Sequence, residues 1–391
     1  MNVLRVIESM DPKYGGPCQG IRNIVPVLED LGVHNEVVCL DSPDAAFLGK
    51  DSFPVHALGP AAGPWHYSRN LIPWLEHHLD RFDAVIIHGL WLYYGYATSR
   101  TVLRYRESQK SKRLKLFVMP HGMLDPYFQR APDRKLKAIR NVLYWKLLEK
   151  NVVNKADGVF FTCEAELLLA REPFRPYAPK KEVNVKYGIK PPPEYTREMK
   201  ESFLNRCPEV ANKPYFLFLS RIHEKKGVDI LINSYLKSAN ENTPKLVIAG
   251  PGLDTAYGGK MKDVVSESDY KDSIFFPGML AGDEKWGAFY GCEAFILPSH
   301  QENFGIAVVE ALACGRPVLI SNMVNIWREI EAEGGGIVAD DTADGAMHLL
   351  DRWSGLSGEE KVAMSDGALR AFMKNFHVGN VAQFMVEALK N

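Results

Sequence analysis

Short apolar runs, each closing on Gly, Pro, His or Ser, alternate along the whole chain with longer amphipathic stretches. A strand covered on both faces must be apolar nearly throughout, whereas a helix packed on one side needs only an apolar stripe. The alternation therefore restricts the chain to parallel sheets flanked by helices. In the first half Val3–Ile7, Glu36–Leu40, Ala84–His88, Leu116–Pro120 and Gly158–Thr162 read as buried strands. The second half repeats the rhythm with Tyr215–Leu219, Lys245–Ala249, Ser273–Phe276, Ala294–Leu297, Pro317–Ser321 and Gly336–Ala339. Two such series predict an α/β chain of two doubly wound domains, and 391 residues exceed what one core covers.

Lys190-Pro191-Pro192-Pro193 marks the expected boundary, because three prolines continue neither a helix nor a central strand. The domains are then 1–190 and 191–375, with a helix from Glu194 to Arg206 leading into the second sheet. Val381, Phe384, Met385, Ala388 and Leu389 recur at helical spacing near the end. That last helix, within 376–391, either closes the second domain or packs back on the first. Open parallel sheets bind ligands beyond the carboxyl ends of their strands, so two such domains facing each other would share a cleft.

A formal net charge of -1 argues against a general nucleic-acid binder. The charge is uneven, however. Arg100 to Lys150 holds fourteen Lys or Arg against four acids, which suits either a solvated helical face or a surface for anionic lipid head groups or a phosphorylated acceptor. The six cysteines are scattered without a Cys-x-x-Cys pair, so neither a zinc ribbon nor a disulfide framework is expected. The opening apolar run is too short for a signal peptide, and no run approaches the ~18 apolar residues of a membrane span. A cytoplasmic protein with at most peripheral membrane contact is expected.

The unusual residues fall at the strand ends. Leu297-Pro298-Ser299-His300-Gln301-Glu302-Asn303-Phe304-Gly305 closes a strand and opens a helix over Ile306–Cys314. The N–H groups and dipole at a helix start suit an anion, and Gly305 lets a ligand approach the backbone closely. Glu302 precedes that helix and Glu310 lies inside it. Eight residues at helical rise span ~12 Å, which suits two ends of one extended ligand better than a catalytic pair. A carboxylate accepts two hydroxyls well, so ribose at one end and a sugar at the other is sensible chemistry. The bland alternative is a charge favouring the helix dipole plus an exposed helix Glu. The matching cations stand after the first strand of the same domain: Arg221 at the strand end, and Lys226 beside Gly227. Val247-Ile248-Ala249-Gly250-Pro251-Gly252 is a further glycine-bearing strand end.

Arg221 with Lys226-Gly227, the turn Ala249-Gly250-Pro251-Gly252, Phe276-Pro277-Gly278, and Glu302 through Ala313-Cys314-Gly315-Arg316-Pro317-Val318 resemble retaining glycosyltransferase family 4. The resemblance covers essentially the whole chain and is most specific from Tyr215 to Ile320. It implies the GT-B fold, a nucleotide-diphosphate sugar donor, and retention at the anomeric carbon. By motif, Arg221 and Lys226 would hold the diphosphate and Glu310 the ribose hydroxyls. Glu302 and the backbone of Asn303, Phe304 and Gly305 would hold the sugar and distal phosphate, and the backbone around Met279-Leu280 would face the base. In the first domain Gly15-Gly16, in Asp11-Pro12-Lys13-Tyr14-Gly15-Gly16-Pro17, resembles the family's first-loop glycine pair. His121, in Pro120-His121-Gly122, resembles the family histidine beside the transferred sugar. His88-Gly89-Leu90-Trp91 is another strand end suited to core packing or acceptor contact. Tyr187-Gly188 departs from the Asn-Gly of many relatives.

No Asp-x-Asp triplet occurs, so the donor charge would be offset by Arg221, Lys226 and the helix start, with no metal and no cofactor expected. The resemblance implies a front-face mechanism in which the departing phosphate helps deprotonate the acceptor, with His121 and Glu302 as the catalytic candidates. UDP-glucose is the first donor candidate. The acceptor is expected to be a glycan or lipid-linked saccharide, as in bacterial exopolysaccharide assembly. A dehydrogenase would need Gly-x-Gly-x-x-Gly after a strand, and neither sheet offers that series. A nucleotide-sugar isomerase of the epimerase kind and a non-catalytic sugar-nucleotide binding protein are the competing readings.

Overall fold

A computed structural model describes residues 1–109, 114–131 and 134–391. The chain divides into two compact units, Met1–Gly188 with Val378–Asn391, and Ile189–His377. Each is built on one parallel sheet, and the fold is GT-B.

The first unit carries strands β1 (Asn2–Ile7), β2 (His34–Cys39), β3 (Val55–Ala57), β4 (Ala84–His88), β5 (Lys115–Met119), β6 (Gly158–Phe161) and β7 (Glu182–Asn184). They lie in the order β3-β2-β1-β4-β5-β6-β7, and every pairing is parallel. The sequence pattern misses β3 and β7. Both are three-residue edge strands, half-buried and partly polar, so they lack the continuous apolar run that a central strand requires. Along β1 the side chains alternate between two cores: Leu4 and Val6 face one layer, Val3 and Ile7 the other. The helix Val378–Lys390 fills the second layer with Val381, Met385 and Leu389, beside the helix Gly16–Asp30. Burying each such side chain contributes about 1.5–3 kcal/mol. Lys115 Nζ donates to the carbonyls of Leu389 (3.1 Å) and Lys390 (2.8 Å), satisfying the end of that helix. The last helix thus belongs to the first unit rather than closing the second.

The second unit carries β8 (Tyr215–Leu219), β9 (Lys245–Ala249), β10 (Ile274–Gly278), β11 (Ala294–Leu297), β12 (Val318–Ser321) and β13 (Gly336–Ala339), in the order β10-β9-β8-β11-β12-β13. Lys190–Pro193 is without regular structure, and the following helix begins at Arg197 rather than Glu194. Thr196 sets that start, its hydroxyl accepting from the N–H of Met199 at 3.4 Å.

In both sheets the strand order reverses once, between β1 and β4 and between β8 and β11. A crevice opens beyond the carboxyl ends of two strands whose crossovers leave in opposite directions. The loops after β1, β4, β8 and β11 are therefore the places to look for chemistry.

The basic stretch from Arg100 to Lys150 is not one surface. Arg106 pairs with Asp157 and donates to the Leu114 carbonyl, Lys115 caps the last helix, and Arg130 pairs with Glu172 at 2.7 Å. Lys110, Lys112, Arg113 and Asp133, also counted in that stretch, lie outside the described residues.

Candidate functional site

In the second unit the reversal point joins the loop after β8 to the loop after β11. Gly227 adopts φ +67°, and a Cβ there would stand 2.1 Å from the Pro298 carbonyl oxygen, so only glycine lets the loops meet. The His300 N–H and the Ser299 hydroxyl each donate to the Lys225 carbonyl, at 2.9 Å. These contacts hold the buried Lys226 with its Nζ on Glu302 Oε2. Glu302 is fixed in turn by its backbone, its N–H donating to Met323 (3.0 Å) and its carbonyl accepting from Asn325 (2.9 Å).

After Glu302 the chain passes Gly305 at φ +74° and enters the helix Ile306–Ala313. Its first intrahelical donor is Val309, to the Gly305 carbonyl at 3.2 Å, so the first turn presents N–H groups with no acceptor inside the helix. Only the steps from Ile306 onward are helical. The expected ~12 Å separation of Glu302 and Glu310, built on helical rise throughout, therefore does not hold for the Glu302–Gly305 part. Instead each carboxylate has its own lysine. Glu310 Oε1 lies 2.8 Å from Lys285 Nζ, which also sits 4.0 Å from the Trp286 ring centroid. Burial raises the Glu310 pKa, and Lys285 opposes that rise. Lys285 went unrecognised in the sequence, where it is one lysine in a helix remote in number from Glu310.

The remaining second-unit candidates differ in exposure. Arg221 is exposed and pairs with no acid among the described residues. Gly250, at φ +142°, runs so close to β8 that a Cβ would meet the Ser220 carbonyl at 1.8 Å. The Met279 side chain is exposed while that of Leu280 is buried. Phe304 is buried, its ring edge-on against that of Phe376 with centroids 5.8 Å apart. Asn303 Oδ1 accepts from Asn325 at 3.4 Å. A cavity of about 590 Å³ lies elsewhere, at the start of β8 around Tyr195, Lys200 and Arg316, and includes none of these residues.

In the first unit Gly15 (φ +74°) precedes the helix that opens at Gly16, and a Cβ on either glycine would meet nothing within 4 Å. Tyr187, the departure from the family's Asn, donates its hydroxyl to the Gly16 carbonyl at 2.6 Å and so fixes this helix start.

His121 lies after β5 at φ +53°, a strained conformation for a non-glycine residue. Its Nε2 is 2.9 Å from His88 Nδ1, and His88 Nε2 is 3.1 Å from Arg5 Nη1. Arg5, fully buried in the middle of β1, also donates Nε–H to Asn35 Oδ1 at 2.9 Å. A guanidinium only donates, so His88 Nε2 accepts and the His88 proton sits on Nδ1. That proton is donated to His121 Nε2, which places the His121 proton on Nδ1. Burial, reinforced by Arg5, pushes the His121 pKa down to about 3 and that of His88 well below its usual value. His121 is thus a neutral imidazole presenting one N–H, a donor rather than a base. Its loop is held by Glu166, which accepts from the Gly122 N–H and, at 2.7 Å, from the Thr162 N–H. In the same unit Glu149 is fully buried with no hydrogen-bond partner for either oxygen among the described residues. Desolvation pushes its pKa up to about 8, the Trp91 backbone offsetting only part of it.

The predicted residues therefore gather into two groups. Lys226, Glu302 and the helix start meet at one reversal point, with Glu310 farther along that helix, while His121 belongs to the first unit with His88 and Arg5.

Comparison with known proteins agrees with this division. Residues 15–185 match the family model "Glycosyl transferase 4-like domain" and residues 200–366 match "Glycosyl transferases group 1". An uncharacterised glycosyltransferase of Methanocaldococcus jannaschii is 30% identical over 142 residues, 35% of this chain and 36% of the relative. A D-inositol 3-phosphate glycosyltransferase of Arthrobacter is 27% identical over 132 residues, 33% of this chain and 31% of the relative. The matched stretches thus span about a third of these curated relatives. Among solved structures, HepE of Anabaena in complex with UDP-glucose covers 100% of this chain and 99% of its own, at TM-score 0.72 and 16% identity, a likeness of fold. With one model on each half and the same fold throughout, the chain belongs to the GT-B glycosyltransferases of the family 4 type.

Proposed function

We propose that this chain transfers a hexose from a nucleotide-diphosphate sugar to a glycan or lipid-linked saccharide, with retention at the anomeric carbon. The observation that carries the reading is the Lys226–Glu302 pair at the β8/β11 reversal point, beside a helix start. In this reading the donor diphosphate takes the first-turn N–H groups and the charge of Lys226, assisted by the exposed Arg221. Glu302, already oriented by its backbone bonds, accepts sugar hydroxyls. Glu310, held by Lys285, accepts the ribose hydroxyls. Backbone at Gly250 and around Met279-Leu280 lines the nucleotide, and the first unit's Gly15-Gly16 keeps the donor role that the family resemblance gives it. UDP-glucose is the first donor candidate, supported by a fold relative that holds it.

The counterpart in the first unit, assigned by resemblance, is His121. As a fixed Nδ1–H donor it would bond a hydroxyl of the transferred sugar and orient it while the bond to the leaving phosphate breaks. With Nε2 occupied by the His88 N–H it has no lone pair free for a proton, and deprotonation of the acceptor is left to the departing phosphate. Charge developing on that phosphate meets Lys226 and the helix start, which are oriented before reaction. These protein groups supply the charge compensation.

A thermal-shift screen against nucleotide sugars, followed by a hydrolysis assay on the best one, tests the reading. Stabilisation by one sugar nucleotide with slow release of free nucleoside diphosphate is expected. A new sugar nucleotide formed without acceptor would favour the isomerase instead, and binding without any hydrolysis the non-catalytic reading.

A further inference from the structure

Five cations of the basic stretch, Lys135, Lys137, Arg140, Lys146 and Lys150, lie along one helix, Lys135–Tyr144, and its continuation through a π turn at Trp145–Glu149. Asn141, Trp145 and Glu149, spaced i, i+4, i+8, are buried, Trp145 within the first unit's core against Phe174. The opposite face is apolar. Leu136, Ile139, Leu143 and Leu147, at i, i+3, i+7, i+11, are 84%, 61%, 56% and 71% exposed. A solvated helix face does not normally carry four large aliphatic side chains in register. Lys135, Lys146 and Lys150 flank this stripe on one side, and Lys137 and Arg140 on the other. From Arg134 to Leu148 the sequence contains no Asp or Glu. Next to the stripe, Trp65 is partly exposed and stacks on Tyr144 with ring centroids 4.9 Å apart.

An apolar stripe bordered by lysines and arginines, with a tryptophan at its edge, is the pattern of a helix lying in a membrane interface. The aliphatic side chains enter the acyl boundary, and the cations reach the head groups on either side. We propose that this helix face docks the first unit onto an anionic lipid surface. A second copy of the chain fits less well, because two such faces would bring together ten like charges, while the helix's one acid, Glu149, is buried on the opposite face. The inference is independent of the donor site, since lipid binding is measured without turnover.

The full chain is floated with vesicles of phosphatidylcholine, with and without phosphatidylglycerol. The wild type is expected to float with the anionic vesicles only, and less so as salt is raised. A variant with Leu136, Ile139, Leu143 and Leu147 all changed to Ser should lose about tenfold or more of its partition. A second variant with Lys135, Lys137, Arg140 and Lys146 changed to Gln should fall comparably on anionic vesicles. Both change exposed side chains, so unchanged circular dichroism melting confirms folding, and Leu136→Ser alone gives a milder version of the first. The proposal is overturned if the wild type ignores anionic vesicles or if folded variants float equally. It is also overturned if sedimentation velocity shows a dimer that the serine variant loses while no vesicle binding occurs.

Discussion

The two reversal points handle charge in opposite ways. In the second unit Lys226 meets Glu302 and Lys285 meets Glu310, each cation beside an anion. In the first unit Arg5, His88 and His121 form a chain of buried nitrogens with no carboxylate in it, and Glu149 is buried with no cation. A paired lysine is held ready to turn to an anionic ligand, and the carboxylate it releases is then open to the hydroxyls of the same ligand. The two imidazoles and Glu149 respond by losing their charge instead, while Arg5 keeps its own and holds the imidazoles neutral. The second unit is thus arranged to receive a charged ligand, and the first to hold neutral donors in fixed orientations.

Four experiments would break or sharpen this contrast. The largest effect is expected for His121→Ala, which should lower turnover by about 100- to 1,000-fold while donor affinity stays within about twofold. Steady-state kinetics beside calorimetric donor binding separates the two, and a parallel loss of affinity would dissolve the distinction between the units. Glu149 comes next. Its folded pKa of about 8 lies above the unfolded value, so the folded protein holds the extra proton between the two. Stability should therefore decline as pH rises from the ordinary carboxyl range toward 8, by on the order of 5 kcal/mol. Denaturant unfolding of Glu149→Gln across that window should show the slope flattened, and an unchanged slope would mean the carboxyl is not the source.

A smaller loss, about tenfold in donor affinity, is expected for Glu310→Gln if it accepts the ribose hydroxyls. A 2′-deoxy nucleotide tests this directly, since wild type and variant should then bind it more nearly alike. The smallest effect belongs to Arg221→Ala, about fivefold, because an exposed cation on a phosphate is screened by solvent and salt. Raising the ionic strength should shrink that difference further.

Much of this was legible in the sequence, for reasons that also mark the limits. The eleven expected strands all occur; nine are buried along nearly their whole length and so carry a continuous apolar run, while the edge strands Ile274–Gly278 and Gly336–Ala339 keep such a run though half-buried. The edge strands Val55–Ala57 and Glu182–Asn184 carry no such imprint, since a half-exposed strand of three residues tolerates polar side chains. Lys226 and Glu302 were found because each sits at a strand end with a distinctive glycine beside it. Their contact was not foreseen, since 76 residues separate them. Lys285, Arg5 and Glu166 were missed for the same reason: each acts through a tertiary neighbour, and nothing local distinguishes it. The basic stretch misled in another way. Summed charge did not separate Arg106 and Lys115, which bond inside the first unit, from the cations along Lys135–Tyr144.

The central claim is that Lys226 and Glu302 form a charge pair ready to accept a donor diphosphate. Calorimetric titration of UDP into the wild type and into Lys226→Ala tests it most directly, with the melting temperature of each recorded to exclude unfolding. The account predicts micromolar-range binding to the wild type and a loss of about 100-fold or more in the variant. Equal affinity in a folded Lys226→Ala protein would contradict it.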